Sequence, residues 1–171
     1  MNRNIVLIGF MGAGKSTVGK MLAEKLEKRF VETDELVEKK VGKCIKKIFE
    51  EDGETQFREL EIEIIKEVAE MNNAVISCGG GIVMNTINVE RLRKKGVIFL
   101  LNASPESILR RTSEDHKRPL LGSSNPLALL KNRMPFYRSA ADFIIDTTEL
   151  AVNEVVTTIM RRYHEYHCQR E

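Results

Sequence analysis

Several features of membrane, secreted and nucleic-acid-binding proteins are missing from this sequence of 171 residues. No apolar run approaches the ~20 residues that a membrane-spanning helix needs, and no secretory leader with a cleavage site is evident. Basic and acidic residues are mixed along the chain and nearly cancel, leaving a formal net charge of +2. This balance predicts no broad basic face, so we expect neither a nucleic acid nor a membrane as partner.

Cysteine is also scarce, since the chain contains only Cys44, Cys78 and Cys168. Their number is odd and they lie far apart, without the close spacing of a metal site. We therefore expect free thiols in a reducing compartment, which predicts a cytoplasmic protein. Composition is otherwise ordinary for a globular protein, with 42% apolar and 30% charged residues, and the length fits one domain over residues 1–171. Nothing in the sequence demands more than a monomer.

The stretch from Gly9 to Thr17 carries the clearest chemical signal. It reads Gly-Phe-Met-Gly-Ala-Gly-Lys-Ser-Thr, follows an apolar run at 5–8 and opens an amphipathic segment, which is the context of a phosphate-binding P-loop. Glycines let backbone N–H groups turn toward phosphates, and the positive end of the helix dipole adds to the attraction. Lys15 is expected at the β- and γ-phosphates and Ser16 on Mg²⁺. The sequence therefore predicts a bound nucleoside triphosphate, with contacts from Gly12, Ala13, Gly14, Lys15, Ser16 and Thr17.

Apolar periodicity divides the chain into strands that alternate with helices. Short apolar runs predict strands at 5–8, 30–32, 74–77, 97–101 and 143–145. Stripes at helical spacing predict helices at about 15–28, 33–41, 45–51, 54–71, 86–95, 105–111, 127–139 and 150–166. This alternation predicts an α/β fold with a five-stranded parallel sheet and helices on both faces. Ligands of such sheets bind beyond the carboxyl ends of the strands.

Three residues mark the expected helix ends. Thr33 is predicted to cap the second helix, whose first turn carries acids, and Ser104 to cap a later helix that begins at Pro105. Pro135 lies inside a helical stretch, so we expect a kink or a late break there. Residues 112–126 are polar and show no periodicity, and long loops of this kind are usually functional or disordered.

Acidic side chains and glycines follow the predicted strands. Glu32 and Asp34 come after the second strand, whereas the third ends without the acid that often holds Mg²⁺ in P-loop enzymes. One of these carboxylates is expected to support the metal and the other to face the phosphoryl acceptor; alternatively, Asp34 only interacts with the helix dipole. Gly79, Gly80 and Gly81 suit close approach to a polar ligand, but an ordinary turn explains them equally well.

Three arginines are candidates for binding anionic groups. Arg58 borders the apolar stripe of its helix, Arg118 lies in the polar stretch, and Arg133 lies in the helix that follows. A loop arginine that closes over phosphates can stabilise the charge of the transferring group. Taken singly, each arginine fits a solvated surface position better than a site.

The ordered set of motifs resembles the shikimate kinase family. It comprises the P-loop stretch, Phe30-Val31-Glu32-Thr33-Asp34, Phe57-Arg58-x-x-Glu61, Gly79-Gly80-Gly81, Arg118-Pro119-Leu120-Leu121, Arg133 to Tyr137, and Ala141-Asp142. These motifs occur in order between Ile5 and Thr147, so the resemblance covers nearly the whole chain.

The resemblance implies a P-loop NTPase fold like that of nucleoside monophosphate kinases, with strand order 2-3-1-4-5. It implies transfer of the γ-phosphoryl group of Mg-ATP to the 3-hydroxyl of shikimate, in aromatic amino-acid biosynthesis. The substrate-binding region then spans about 33–61. The residues implied to bind shikimate are Asp34, Arg58, Gly79, Gly80, Gly81 and Arg133.

The resemblance also assigns the phosphoryl-transfer residues. The position matching Arg118 belongs to a lid at about 112–125 and reaches the phosphates, and the position matching Arg111 stacks on adenine. Lys15, Asp34 and Arg118 are then the expected catalytic residues. Asp34 could take the proton of the attacking hydroxyl, and closure of the lid would exclude water.

The chain departs from the family pattern at the implied metal site, which Ser16 and Glu32 would form. The family usually has Asp-x-Asp where this chain has Glu32-Thr33-Asp34. Glutamate keeps the charge but is one methylene longer. We expect activity to survive with an altered preference between Mg²⁺ and Mn²⁺.

Two alternative interpretations remain. One is another small-molecule P-loop kinase, acting on gluconate or a nucleoside monophosphate; Asp34, Arg58 and Arg133 together favour an acidic polyol, which includes gluconate. The other is a non-catalytic nucleotide switch or binding module. The guanine-reading Asn-Lys-x-Asp of a GTPase is absent from the sequence, and Lys15 and Asp34 are retained, so both features favour the kinase.

Overall fold

The strands of the molecule follow the apolar runs of the sequence. The structure, a computed structural model, describes residues 3–113 and 125–168. Its strands are β1 (Asn4–Ile8), β2 (Arg29–Glu32), β3 (Ala74–Ser77), β4 (Gly96–Asn102) and β5 (Phe143–Asp146). Each predicted strand is confirmed, with ends displaced by a single residue at most.

These strands form one parallel sheet in the order β2-β3-β1-β4-β5. The predicted fold class and strand order are thus confirmed. The central strand β1 pairs on both sides, with Leu7 in register with Ser77 on β3 and Phe99 on β4. Because all strands run the same way, the segments that leave β1, β2 and β3 emerge at one edge of the sheet.

Eight α-helices are described, together with a 3₁₀ turn at Ile82–Met84 that the sequence did not predict. The α-helices are α1 (Lys15–Lys25), α2 (Thr33–Val41), α3 (Ile45–Glu51), α4 (Gly53–Ala69), α5 (Thr86–Lys95), α6 (Pro105–Ser113), α7 (Pro126–Ala140) and α8 (Val152–Cys168). Among the described residues, no helix is both long and apolar enough to cross a bilayer.

Apolar side chains alternate between the two faces of the sheet and form two cores. Ile5 and Leu7 of β1 pack in a cluster with residues of α1 and α8, whereas Val6 and Ile8 pack in a cluster with residues of α4 and α7. Helices therefore cover both faces, as predicted, and β1 is 2% exposed or less at every apolar position. The buried sheet is a rigid base for the loops at its carboxyl edge.

Some predicted helix features differ in the structure; α1, for example, was expected to extend to about residue 28 and ends at Lys25. Thr33 does not cap α2; the cap position is Glu32, and the Thr33 hydroxyl instead accepts a hydrogen bond from the Gly79 N–H at 2.9 Å. The hydroxyl oxygen that a local cap would use is therefore bonded to a residue distant in sequence. The late break considered at Pro135 does not occur: α7 continues past this proline to Ala140. Ser104 does cap α6, since its Oγ accepts from the Ser107 N–H at 3.2 Å.

The segment implied as a lid is described only at its edges. Residues 112 and 113 end α6, and Asn125 caps α7 by accepting hydrogen bonds from Leu127 N at 3.0 Å and Ala128 N at 3.2 Å. Residues 114–124, including Arg118, lie outside the described residues.

Candidate active site

The loop between β1 and α1 has the backbone that a P-loop requires. Gly9 and Gly14 have φ values of +144° and +92°, in the region that side chains disfavour. A Cβ on Gly9 would lie 2.5 Å from the Leu101 carbonyl oxygen of β4, so only glycine fits where the loop crosses that strand. The loop is followed directly by α1, which begins at Lys15. The N-terminus of a helix favours binding of an anion.

Lys15 is folded against this loop. Its Nζ donates to the carbonyl oxygens of Gly9 at 2.8 Å and Phe10 at 3.0 Å, and the residue is only 6% exposed. A lysine at this position supplies a positive charge to bound phosphates. The loop carbonyls hold that charge in place before any nucleotide contacts it.

Ser16 and Glu32 meet across the gap between α1 and β2. The Ser16 hydroxyl donates to Glu32 Oε2 at 2.6 Å, and Glu32 is 6% exposed. Burial raises the pKa of the Glu32 carboxyl, while the hydrogen bond from the Ser16 hydroxyl acts to lower it. A hydroxyl and a carboxylate side by side are the hard oxygen ligands that Mg²⁺ prefers, so the two residues fit a magnesium ion. The longer glutamate thus reaches the position next to Ser16.

Each glycine after β3 leaves room for a different polar side chain. None of the three has a positive φ, so the chain does not need glycine here for its backbone conformation. A Cβ on Gly79 would instead collide with Asp34 Oδ1, one on Gly80 would lie 3.5 Å from the Tyr137 hydroxyl, and one on Gly81 would collide with Arg58 Nη1. Close approach of Asp34 and Arg58 therefore accounts for Gly79 and Gly81, whereas a Cβ on Gly80 would make only ordinary contacts.

Arg58 is held by two carboxylates of its own helix. Its Nη1 lies 2.6 Å from Glu61 Oε2, and its Nη2 lies 2.9 Å from Glu54 Oε1. The Glu61 side chain is only 4% exposed and the Glu54 side chain 66% exposed, so the pair with Glu61 is the desolvated one. Burial raises the pKa of Glu61, and the charge of Arg58 partly offsets this. A cavity of about 220 Å³ opens beside this pair and Gly81.

Asp34 lies between Glu32 and the pair formed by Arg58 and Glu61. Its charge acts to raise the pKa of Glu32 on one side and of Glu61 on the other, so it is close to both. Its carboxylate also closes against Gly79, as described above. This position suits a carboxylate that contacts the hydroxyl to be phosphorylated.

Arg133 reaches the glycine turn from α7. A Cβ on Gly80 would lie 3.8 Å from Arg133 Nη1, and Tyr137, one helical turn later, donates its hydroxyl to Gly80 O at 2.6 Å. Arg133 also acts to lower the pKa of the Tyr137 phenol, which burial raises to about 12. The arginine, the phenol and the glycine turn therefore form one contiguous group.

Arg111 lies beside the P-loop. Its Nη1 donates to Gly12 O at 3.4 Å and its Nη2 to Thr147 O at 2.9 Å, which joins the end of α6 to the loop after β5. Thr17 is exposed on α1. The P-loop, Glu32, Asp34, the glycine turn and Arg58, Arg111 and Arg133 thus lie at one edge of the sheet.

Sequence reasoning gave no role in the site to Glu61 or Tyr137, and it expected Thr33 only to cap α2. Helical spacing could have indicated the first two, because Glu61 follows Arg58 by three residues and Tyr137 follows Arg133 by four, which places each pair on one helix face. Nothing local could have indicated that Thr33 binds Gly79, because 46 residues separate them.

Comparisons with known proteins agree on one family. The family model for shikimate kinase matches residues 11–164. A shikimate kinase of Caldicellulosiruptor bescii is 48% identical over 163 residues, covering 91% of this chain and 94% of that relative. The structure of the Acinetobacter baumannii shikimate kinase in complex with shikimate is 36% identical, with a TM-score of 0.89, and the match covers 96% of this chain and 94% of that one.

A gluconokinase of Sinorhizobium meliloti shares the fold at 18% identity, with a TM-score of 0.62 and coverage of 99% of this chain and 98% of that one. A similarity of this size extends to the fold alone, whereas the family model covers most of the sequence. This chain belongs to the shikimate kinase family.

Proposed function

We propose that this protein transfers the γ-phosphoryl group of ATP to the 3-hydroxyl of shikimate, giving shikimate 3-phosphate and ADP. The observation that carries the proposal is the convergence of Arg58, Arg133 and Asp34 on one glycine turn at the sheet edge next to the P-loop. The site thus offers two guanidinium groups for a carboxylate and one carboxylate for ring hydroxyls, as an acidic polyol requires.

On the acceptor side, Arg58 and Arg133 bind the carboxylate of shikimate. A planar guanidinium can donate two parallel hydrogen bonds to a carboxylate, which orients the ring as well as binding it. Asp34 accepts hydrogen bonds from ring hydroxyls and takes the proton of the one that attacks. Phosphoryl transfer depends mainly on positioning and charge neutralisation, so orientation by these three residues is their main contribution.

On the nucleotide side, Lys15 and the P-loop N–H groups bind the phosphates, and Arg111 packs beside the adenine. Ser16 and Glu32 hold Mg²⁺, which neutralises phosphate charge when it is bound. Arg118 remains a predicted phosphate ligand. We also propose that the protein acts as a monomer in the cytoplasm; Cys44 and Cys168 are free exposed thiols, which suits a reducing compartment.

The decisive experiment measures ADP release from Mg-ATP with shikimate, gluconate, AMP or CMP as acceptor. Strong stimulation by shikimate alone is the expected result. Stimulation by gluconate or a nucleotide instead would keep the ATP site but contradict the roles of Arg58 and Arg133. ATP binding without turnover of any acceptor would favour a non-catalytic binding module.

The metal assignment needs its own test. Glu32→Ala and Glu32→Asp are compared with wild type by calorimetric titration of Mg²⁺ and Mn²⁺ into the ADP complex. We expect Glu32→Ala to weaken binding of both metals and Glu32→Asp to shift the preference between them. Equal metal affinity of Glu32→Ala and wild type would remove Glu32 from the site.

A further inference from the structure

We propose that Tyr137 is a positioning residue: it orders Arg133 on α7 and the peptide N–H groups of the glycine turn, which together bind the acceptor. This inference rests on the proposed function. Tyr137 is 1% exposed, and its hydroxyl donates to Gly80 O at 2.6 Å across 57 residues of sequence. It is therefore a direct link between the helix that carries Arg133 and the turn that follows β3.

The first consequence concerns the peptide between Gly80 and Gly81. This peptide is planar and trans, so its carbonyl and the Gly81 N–H point in opposite directions. A phenol that holds the Gly80 carbonyl therefore turns the Gly81 N–H to the side away from Tyr137. Among the described residues that N–H has no hydrogen-bond acceptor, and Gly81 packs against the Arg58 guanidinium, so the N–H is available to an anion bound there.

The second consequence concerns Arg133. Its guanidinium lies beside the phenol oxygen, on which it acts to lower the pKa, and both groups converge on Gly80. A neutral phenol that donates to a carbonyl still has a lone pair to offer to a guanidinium N–H. Burial raises the pKa of Tyr137 to about 12, so the phenol keeps its proton throughout the physiological range. Tyr137 thereby holds a cation and a peptide N–H in one arrangement for the acceptor carboxylate.

Tyr163 provides a matched control. It is also buried, at 4% exposure, and its hydroxyl donates to a backbone carbonyl, that of Arg3, over the same distance of 2.6 Å. It lies on α8 and packs in the cluster with α1, on the opposite face of the sheet from Tyr137. Tyr137→Phe and Tyr163→Phe thus delete the same kind of hydrogen bond, one inside the acceptor site and one outside it.

The test compares the steady-state kinetics of the two variants, with unfolding temperatures measured in parallel. We expect Tyr137→Phe to raise the KM for shikimate by about fivefold to tenfold, the size expected for one hydrogen bond, with the KM for ATP unchanged. Tyr163→Phe should leave both KM values at wild type. Equal shikimate KM values in the two variants, or a parallel rise in the KM for ATP in Tyr137→Phe, would overturn the proposal. Wild type that does not phosphorylate shikimate would instead refute the proposed function.

A second measurement separates positioning from a loss of folding. Shikimate and its carboxamide analogue are titrated calorimetrically into each variant, below the unfolding temperature of both. If Tyr137 orders the carboxylate-binding groups, Tyr137→Phe should weaken binding of shikimate more than that of the uncharged carboxamide, relative to wild type. An equal loss for the two ligands would mean that the phenol only supports the fold.

Discussion

At the scale of single residues, the proposed acceptor pocket contains side chains of both charges. Arg58 and Arg133 share it with Asp34, the buried Glu61 and the exposed Glu54. In the pair of Arg58 and Glu61 only the carboxylate is buried, so removing Arg58 leaves a buried charge without its partner. A change at Arg58 should therefore affect both the free energy of unfolding and the proposed binding of the acceptor.

We predict that Arg58→Ala raises the KM for shikimate by an amount equivalent to ~1.5–3 kcal/mol, the value of a charge-assisted hydrogen bond, with the KM for ATP nearly unchanged. The same change should lower the free energy of unfolding by about 3 kcal/mol, because Glu61 loses its partner. Arg58→Ala combined with Glu61→Gln should recover stability but not the KM. Arg138→Ala, an exposed arginine of α7, is the control, and an unchanged shikimate KM in Arg58→Ala would contradict the assigned role.

Glu61 makes a prediction about pH. Burial raises its pKa above the ordinary value of 4.5, so between 4.5 and the raised value the folded protein binds a proton that the unfolded chain has released. The contribution of Glu61 to stability is thus present below pH 4.5 and decreases as pH rises through the folded pKa. Urea unfolding across this range should show that decrease in wild type but not in Glu61→Gln. Parallel pH profiles would contradict the raised pKa.

At the scale of elements, the turn after β3 is shaped by the side chains that reach it. Gly79, Gly80 and Gly81 have no positive φ, and a Cβ on Gly79 or Gly81 would collide with a side chain of α2 or α4. By contrast, Gly42 at the end of α2 has a φ of +71° and nothing within 4 Å of where its Cβ would be. Gly79 and Gly81 leave room for side chains from other elements, whereas Gly42 allows a left-handed backbone conformation.

This contrast predicts opposite effects for two glycine-to-alanine changes. Gly81→Ala should displace the Arg58 guanidinium, raising the KM for shikimate several-fold, and should cost less stability than Arg58→Ala because the displaced arginine can still pair with Glu54 or Glu61. Gly42→Ala should reduce the free energy of unfolding by about 1 kcal/mol, because alanine resists a left-handed conformation, and leave both KM values unchanged. Calorimetric unfolding and steady-state kinetics of both variants provide the check; the reverse pattern would refute the assignment of either glycine.

At the scale of the whole molecule, the parallel sheet is what assembles the site. Residues from the ends of β1, β2 and β3 meet because the strands share a direction and are adjacent in the order β2-β3-β1. Arg133 comes from α7, much later in the chain, and lies beside Gly80 of the same turn. Ligand binding should therefore stabilise the entire domain rather than one segment.

We predict that shikimate at about one hundred times its dissociation constant stabilises wild type by about 2.7 kcal/mol, which corresponds to a rise of roughly 5–10 °C in Tm for a domain of this size. Arg133→Ala should lose this rise at the same shikimate concentration but keep the rise produced by ADP. Calorimetric scans with each ligand test this. Loss of both responses in Arg133→Ala would indicate a global defect instead of a lost acceptor contact.

The sequence by itself determined the α/β class, all five strands and the nucleotide loop, because these depend on local patterns. Residues Ile5 to Ile8 are apolar in succession and are followed by glycines and Lys15, and no tertiary information is needed to recognise that arrangement. The place of Asp34 and Glu32 after β2 was likewise predictable, since parallel strands bring their carboxyl ends to one edge.

Only the tertiary structure decided which side chains meet at the glycine turn. The Thr33 hydroxyl accepts a hydrogen bond from the Gly79 N–H rather than capping its own helix, and the Tyr137 hydroxyl donates to Gly80 O, over separations of 46 and 57 residues. Local rules predicted a cap for Thr33 and were wrong there, because a buried N–H without a partner costs more than an unmade cap. The burial of Glu61 and the pairing that keeps it there depend in the same way on distant segments packing together.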